Sequence, residues 1–273
     1  MMPNDAGASG RRDLPVLRDG VDRREFVEKV AAACAAGLPL MLGIVGVPGV
    51  GAQTPDGKPY DATTHYYGMG VDTSKCIGCG RCVNACKTEN DVPREPGKFN
   101  TWVERYVIRT DGEVEVDSPD GGIAGFPPPP TTETDIRKSF FVPKLCNHCA
   151  SPPCVQVCPV GATFITQDGV VLVDQEYCIG CRYCIQACPY GARWFDAEKE
   201  VAAKCTFCYH RITKGLVPAC VEACPTGARI FGEVEGRATP LARFIRFNDI
   251  QVLKPHLNTK PKVYYASLDG EVR

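Results

Sequence analysis

The chain is 273 residues long, enough for one or two domains, and its 31 Lys and Arg nearly balance its 32 Asp and Glu. With no basic run and no interleaved aromatic stripe, it carries no nucleic-acid-binding signature. Its 17 cysteines are the outlying count and direct the reading.

The N-terminus reads as an address. Arg23-Arg24, followed by Glu25-Phe26-Val27, resembles the start of a twin-arginine (Tat) export signal. The stretch from Val30 to Ala52 carries no charge but contains Pro39, Pro48 and five glycines, a poor composition for a membrane span. Val50-Gly51-Ala52 fits a small-residue cleavage site, so the mature chain is expected to begin near Gln53; an uncleaved anchor is the alternative. Cys34 lies in this stretch with no lipobox before it and is not expected to be a ligand.

Gly68 to Asp72 is predicted to be a short strand leading into a first cysteine group, Cys76, Cys79, Cys82 and Cys86. Its spacing, C-x2-C-x2-C-x3-C, is the bacterial-ferredoxin run that wraps a 4Fe–4S cubane. Three cysteines hold three corners with one loop. The fourth points away and ligates a neighbouring cluster, so such groups work in pairs. Gly78 and Gly80 lie inside this loop and are not a nucleotide fingerprint. Thr101 to Arg109 and Glu113 to Asp117 then flank Asp111-Gly112, a hairpin signal. Pro127 to Pro130 cannot join a ladder and read as an extended linker or docking edge.

A second group follows at Cys146, Cys149, Cys154 and Cys158. A second hairpin is expected from Phe164-Ile165-Thr166 and Val170 to Val173 around Gln167-Asp168-Gly169. The third group, Cys178, Cys181, Cys184 and Cys188, repeats the spacing of the first, and a short strand is expected at Arg193-Trp194-Phe195. The fourth is Cys205, Cys208, Cys220 and Cys224, with eleven residues between its middle pair. Longer loops close at only modest entropic cost, so groups two and four remain compatible with cubanes. Beyond them, Leu241 to Phe247 reads as one or two helical turns and Lys262-Val263-Tyr264-Tyr265 as a strand, with no apolar run of membrane length.

Three groups end alike: Cys158-Pro159-x-Gly161-Ala162, Cys188-Pro189-x-Gly191-Ala192 and Cys224-Pro225-x-Gly227-Ala228. Such a repeat indicates duplicated modules, and its glycine is expected to allow close approach of backbone to sulfide. Zinc and a disulfide scaffold are the competing explanations. Zinc does not require a third and fourth cysteine at this spacing, and disulfide frameworks do not repeat one local pattern. Four oxidised clusters each carry a net charge of about −2, which Lys75, Arg81, Arg182, Arg193, Lys204 and Arg229 are placed to offset while tuning potentials. His148 and His210 read as cluster-tuning or surface residues, and Trp194 and Phe195 as core or cluster shielding. No Ser/His/Asp constellation, carboxylate pair or phosphate loop is present, so no active site of the chain's own is expected.

Cys146-Asn147-His148-Cys149, Pro152-Pro153-Cys154, Cys158-Pro159-Val160-Gly161-Ala162, Cys178-Ile179-Gly180-Cys181-Arg182-Tyr183-Cys184 and Lys204-Cys205-Thr206-Phe207-Cys208 resemble the four-cluster iron–sulfur subunits of the molybdopterin oxidoreductases. These include subunits of dimethyl sulfoxide, polysulfide and tetrathionate reductases and of formate-dependent nitrite reduction. The likeness runs from about residue 66 to 268 and is not specific as to substrate.

The resemblance implies four ligand sets: Cys76, Cys79, Cys82 and Cys224; Cys205, Cys208, Cys220 and Cys86; Cys146, Cys149, Cys154 and Cys188; and Cys178, Cys181, Cys184 and Cys158. The expected fold is α+β: two bacterial-ferredoxin-like modules with inserted β-hairpins and an extended C-terminal tail. Its parts would be a signal segment (1–52), the first half of module I with its hairpin and Pro-rich insert (53–145), module II (146–200), the second half of module I (201–231) and a docking tail (232–273). It further implies electron relay between a quinone-reactive membrane subunit and a molybdopterin catalytic subunit. A periplasmic hydrogenase subunit and a free-standing exported polyferredoxin are the alternatives. Export of a folded, cluster-loaded protein to the periplasm fits the leader, because clusters are assembled where thiols stay reduced. No membrane span is expected in the mature chain.

Overall fold

The computed structural model describes residues 59–129, 132–236 and 238–272. The expected signal segment, Cys34 and Pro130 lie outside the described residues. Among the described residues there are eleven strands and six short α-helices, a mixed helix and strand content.

A four-stranded sheet forms the centre. Strand β1 (Tyr67–Asp72) runs parallel to β11 (Val263–Ala266) and antiparallel to β9 (Arg229–Glu233), and β10 (Ile250–Gln251) closes the edge beside β11. Every residue of β1 is buried. Its alternation explains both faces. Gly68 and Gly70 meet Leu241 and Phe244 of a C-terminal helix (Pro240–Phe247) so closely that a Cβ at Gly70 would lie 2.7 Å from the Phe244 ring. Met69 and Val71 point the other way, into the main core. Thr239 caps that helix by accepting the Ala242 N–H at 3.1 Å, and Pro240 supplies a fixed φ in its first turn.

The C-terminal segment is therefore not the extended tail expected from sequence. Val263 and Tyr265 are fully buried, and the Tyr265 hydroxyl donates to the Pro143 carbonyl at 3.1 Å. Strand β11 lies between β10 and β1, where a tail would leave β1 with an open edge.

The first predicted hairpin is present as β2 (Thr101–Arg109) and β3 (Val114–Asp117). A third strand, β4 (Ile136–Leu145), pairs along the other side of β2. It delivers the chain to Cys146 and brings Pro143 opposite Val103. The second hairpin is β5 (Thr163–Ile165) with β6 (Val171–Val173), and the strand at Arg193 is β7 (Arg193–Asp196), paired with β8 (Val201–Lys204). Among the described residues no helix is long and apolar enough to cross a membrane.

Candidate iron–sulfur centres

Five short helices carry or adjoin the cysteines: α1 (Arg81–Glu89), α2 (Pro153–Gln156), α3 (Tyr183–Gln186), α4 (Tyr209–Ile212) and α5 (Ala219–Glu222). Prolines at Pro152, Pro153 and Pro218 start α2 and α5 without wasting a backbone donor. Gly80, Arg182 and Cys208 precede α1, α3 and α4 in the left-handed region, folding each cysteine loop back on itself. Helix α1 packs on α5, and α2 on α3.

These packings gather cysteines that are remote in sequence. Cys76, Cys79, Cys82 and Cys224 line one cavity, walled also by Val103 and Pro143. Cys86, Cys205, Cys208 and Cys220 line a second, beside Met69. Cys146, Cys149, Cys154 and Cys188 line a third. Of the remaining four, Cys178 packs against a small apolar cluster that holds Cys184 together with Cys154. Cys158 is half-buried and Cys181 exposed. All sixteen are free thiols.

The donor set fits a cubane. Each cavity presents four thiols and no carboxylate or imidazole ligand. Among the described residues, no group of His, Cys, Asp or Glu closes on a single ion. Buried donors also await an acceptor: Arg229 Nε and Nη1, in the first cavity, have no hydrogen-bond partner. Thiolates and sulfides would accept from them.

The Cys-Pro-x-Gly-Ala repeat now has a physical reason. Burial works against the Cys158 thiolate, but the N–H groups of Thr163, Val160 and Ala162 hold it below the ordinary thiol range. Cys224 is likewise lowered against burial by the N–H groups of Arg229, Ala228 and Thr226 and the Thr226 hydroxyl. Cys188 receives the same kind of bonds from Ala192 and Tyr190, although burial keeps it raised. Proline contributes no N–H, and the glycine turns the next amide toward sulfur through φ of +69° at Gly161, +60° at Gly191 and +65° at Gly227. Close approach is not the reason for these glycines, contrary to the sequence expectation: a Cβ there would meet nothing within 4 Å. It is the reason for Gly80 and Gly180, where a Cβ would run into the carbonyls of Gly122 and Glu200.

Cys86, which lacks the repeat, is served differently. Helix α1 leads past it to Asn90, whose Nδ2 lies 3.6 Å from Cys86 Sγ and 3.5 Å from Cys208 Sγ. Sequence reading missed Asn90; its position four residues beyond Cys86 on one helix face was the available signal.

Burial pushes the Cys76 thiol up to about 11 and the Cys149 thiol up to about 12, with neighbouring cysteines adding to it. Burial also raises Cys220 to about 11; Arg229 opposes this, while Cys82 and Cys208 add to it. Cys205 is raised by burial first, then by Cys220 and by Cys146 of the third cavity. Iron that binds such thiols must displace their protons. The pairs Cys82 with Cys220 and Cys146 with Cys205 thus bring the first cavity against the second and the second against the third. Cys154 and Cys184 bring the third against the last group.

His148 is fully buried, so the surface alternative for it falls. Its Nδ1 accepts the Val171 N–H at 3.0 Å, and its Nε2 has no partner. Burial, with Lys204, Lys262 and Arg193 nearby, keeps it well below the ordinary imidazole range and hence neutral. His210 is half-exposed and pairs with Glu89 at 2.7 Å. Trp194 donates to Asn100 Oδ1 at 3.0 Å, and Phe195 lies under the Arg182 guanidinium.

Comparison with known proteins agrees with this chemistry. Two family models described as 4Fe–4S dicluster domains match residues 75–162 and 137–234. A tetrathionate reductase subunit of Salmonella typhimurium is 39% identical over 249 residues, covering 90% of this chain and 88% of that protein. A tetrathionate reductase subunit of Archaeoglobus fulgidus is 46% identical over 73% of this chain and 81% of its own length. A sulfite dehydrogenase subunit of Allochromatium vinosum is 40% identical over 71% and 80%.

Proposed function

This chain belongs to the four-cluster iron–sulfur electron-transfer subunits of molybdopterin oxidoreductases, and from that premise we propose how it is wired and what it connects. It carries four 4Fe–4S clusters. When bound, each cluster accepts and releases one electron; the chain's own residues hold it, exclude water and supply N–H donors and charge.

The ligand sets we propose are Cys76, Cys79, Cys82 and Cys224; Cys86, Cys205, Cys208 and Cys220; Cys146, Cys149, Cys154 and Cys188; and Cys158, Cys178, Cys181 and Cys184. The observation that carries the first three is the lining of the three cavities. The fourth is what remains, and the packing of Cys178 against the cluster that holds Cys184 supports it. Two ferredoxin-like modules follow, one of groups one and four, the other of groups two and three. The contacts between neighbouring sets make one linear path.

Both ends of that path reach the surface. Cys79 is exposed beside Ile77, which is 60% exposed, and Cys181 is exposed beside Ile179, which is 64% exposed. An apolar, accessible ligand loop at each end suits electron exchange with two different partners. We assign these as a molybdopterin catalytic subunit and a quinone-reactive membrane subunit, in an exported, periplasmic complex led by the twin-arginine segment. Relatives include a reductase and a dehydrogenase by name, so the direction of flow belongs to the partners.

Isolation of the native complex tests this reading. A co-purifying large molybdenum-containing subunit and a hydrophobic membrane subunit are expected. A monomer on size exclusion would instead identify a free polyferredoxin, and a nickel–iron partner a hydrogenase subunit.

A further inference from the structure

Of the six basic residues that flank the cysteine loops, the structure separates two kinds. Lys75, Arg81 and Arg182 are exposed; Lys75 pairs with Asp72 at 3.0 Å, and Arg182 lies 3.8 Å over the Phe195 ring. Arg193, Lys204 and Arg229 are buried, and among the described residues no carboxylate forms an ion pair with any of them. A buried cation without a counter-ion is costly unless another negative group compensates it.

Each of the three looks at thiols on two sides. Arg229 lines the first cavity, donates to Thr101 Oγ1 at 2.8 Å, and faces Cys82 and Cys76 of one set and Cys220 of the next. Lys204 donates to the Cys205 carbonyl at 2.7 Å and to the Val171 carbonyl, and faces Cys205 of the second set and Cys146 and Cys154 of the third. Arg193 lines the third cavity, donates to Cys154 Sγ at 3.1 Å, and faces Cys154 and Cys146 of the third set and Cys184 of the fourth. Lys87 and Lys262 are also buried, but each faces cysteines of one set only: Cys86 for the first, Cys149 and Cys146 for the second.

We propose that Arg229, Lys204 and Arg193 are junction charges, one in each gap of the path, and that each sets the potentials of the two clusters beside it together. The proposal rests on the ligand sets given above. A cluster at about −2 becomes more negative on reduction, so a fixed cation favours the reduced form of whichever neighbour holds the electron. Shared between two neighbours, it offsets the negative charge of both and so raises both potentials together. These are positioning residues; none exchanges an electron itself.

Redox-monitored electron paramagnetic resonance of the iron-loaded full chain, in its native complex, tests it. Arg193→Gln, Lys204→Gln and Arg229→Gln should each lower two of the four potentials, by roughly tenfold in each one-electron equilibrium constant, or about 59 mV. The affected pairs should be the third and fourth, the second and third, and the first and second clusters. Lys75→Gln, at an exposed site, should leave all four near native values. Unmoved potentials, or one potential moved alone, in variants that keep full iron would overturn the proposal while leaving the ligand sets intact. Loss of iron from a cysteine cavity other than those assigned would instead break the ligand sets. Should a glutamine variant fail to retain iron, Arg193→Lys and Lys204→Arg still decide: preserved charge should hold both flanking potentials, and a fall like that expected of the glutamine variants would refute it.

Discussion

The ring of His148 stacks on that of Phe207 with centroids 3.7 Å apart and planes 23° from parallel. His148 lies between Cys146 and Cys149, and Phe207 between Cys205 and Cys208, so one stack joins the loops of two of the proposed sets. Both residues sit at positive φ, +41° and +55°. Neither could take that conformation cheaply without the neighbour that fixes it. The junction between the second and third centres is therefore a built contact in which the apolar stack stands beside the Lys204 charge.

His148→Ala removes the stack and leaves the buried Val171 N–H without its acceptor. A cavity and an unsatisfied amide together should cost about 3 kcal/mol. Because iron–sulfur proteins unfold irreversibly once clusters leave, the readout is a rate. Thermal bleaching of the visible absorbance should speed up at least about tenfold. Since the histidine is neutral, potentials should move less than in Lys204→Gln.

Two glycine substitutions should part company. Gly191→Ala meets open space and strains only its φ of +60°, which costs about 1–2 kcal/mol and should leave iron content native. Gly180→Ala drives a methyl into the Glu200 carbonyl and should lose iron from the Cys178, Cys181 and Cys184 loop. Iron analysis of the two purified variants checks the contrast; equal loss, or none in either, would contradict it.

Asn90→Ala deletes the amide shared by Cys86 and Cys208. An N–H donor favours the more negative, reduced state, so one potential should fall by roughly tenfold in equilibrium constant. The other three should stay put, which separates this effect from that of a junction charge. Potentiometric titration measures it.

Glu89 ties α1 to α4 through His210 at 2.7 Å and Arg211 at 2.9 Å. The His210 hydrogen bond first, then Arg211 against slight burial, lowers its carboxyl below the ordinary 4.5. A depressed carboxyl stabilises the fold above its unfolded value, and that contribution disappears as pH falls through the folded value. The stability gap between the native chain and Glu89→Gln should be full near neutrality and close below about pH 4.5. Thermal bleaching rates of the two proteins across that window give the result; a gap that widens with acid would reverse the sign.

Local signals carried far. The β1 strand, both hairpins, the Pro240–Phe247 helix and the β11 strand were legible because alternation, Asp-Gly turns and capping residues are local. Cysteine spacing named the chemistry for the same reason. Strands β4 and β8 were not legible: Pro143 disguises β4 as a broken segment, and β8 is four residues whose order comes from pairing with β7. The burial of His148, the role of Asn90 and the division of six cations into three buried and three exposed depend on packing between groups far apart in the chain. No window of sequence contains that information. The repeat glycines illustrate the limit well: their recurrence is plain in the sequence, but their reason lies in backbone angles that spacing does not reveal.

The central claim is that sixteen thiols hold four cubanes in a conducting row. Iron, acid-labile sulfide and electron uptake measured on one anaerobically purified sample test it most directly. The account predicts about sixteen irons and sixteen sulfides per chain and uptake of about four electrons on reductive titration. Zinc in place of iron, or thiols titrating as disulfides with no sulfide released, would contradict it.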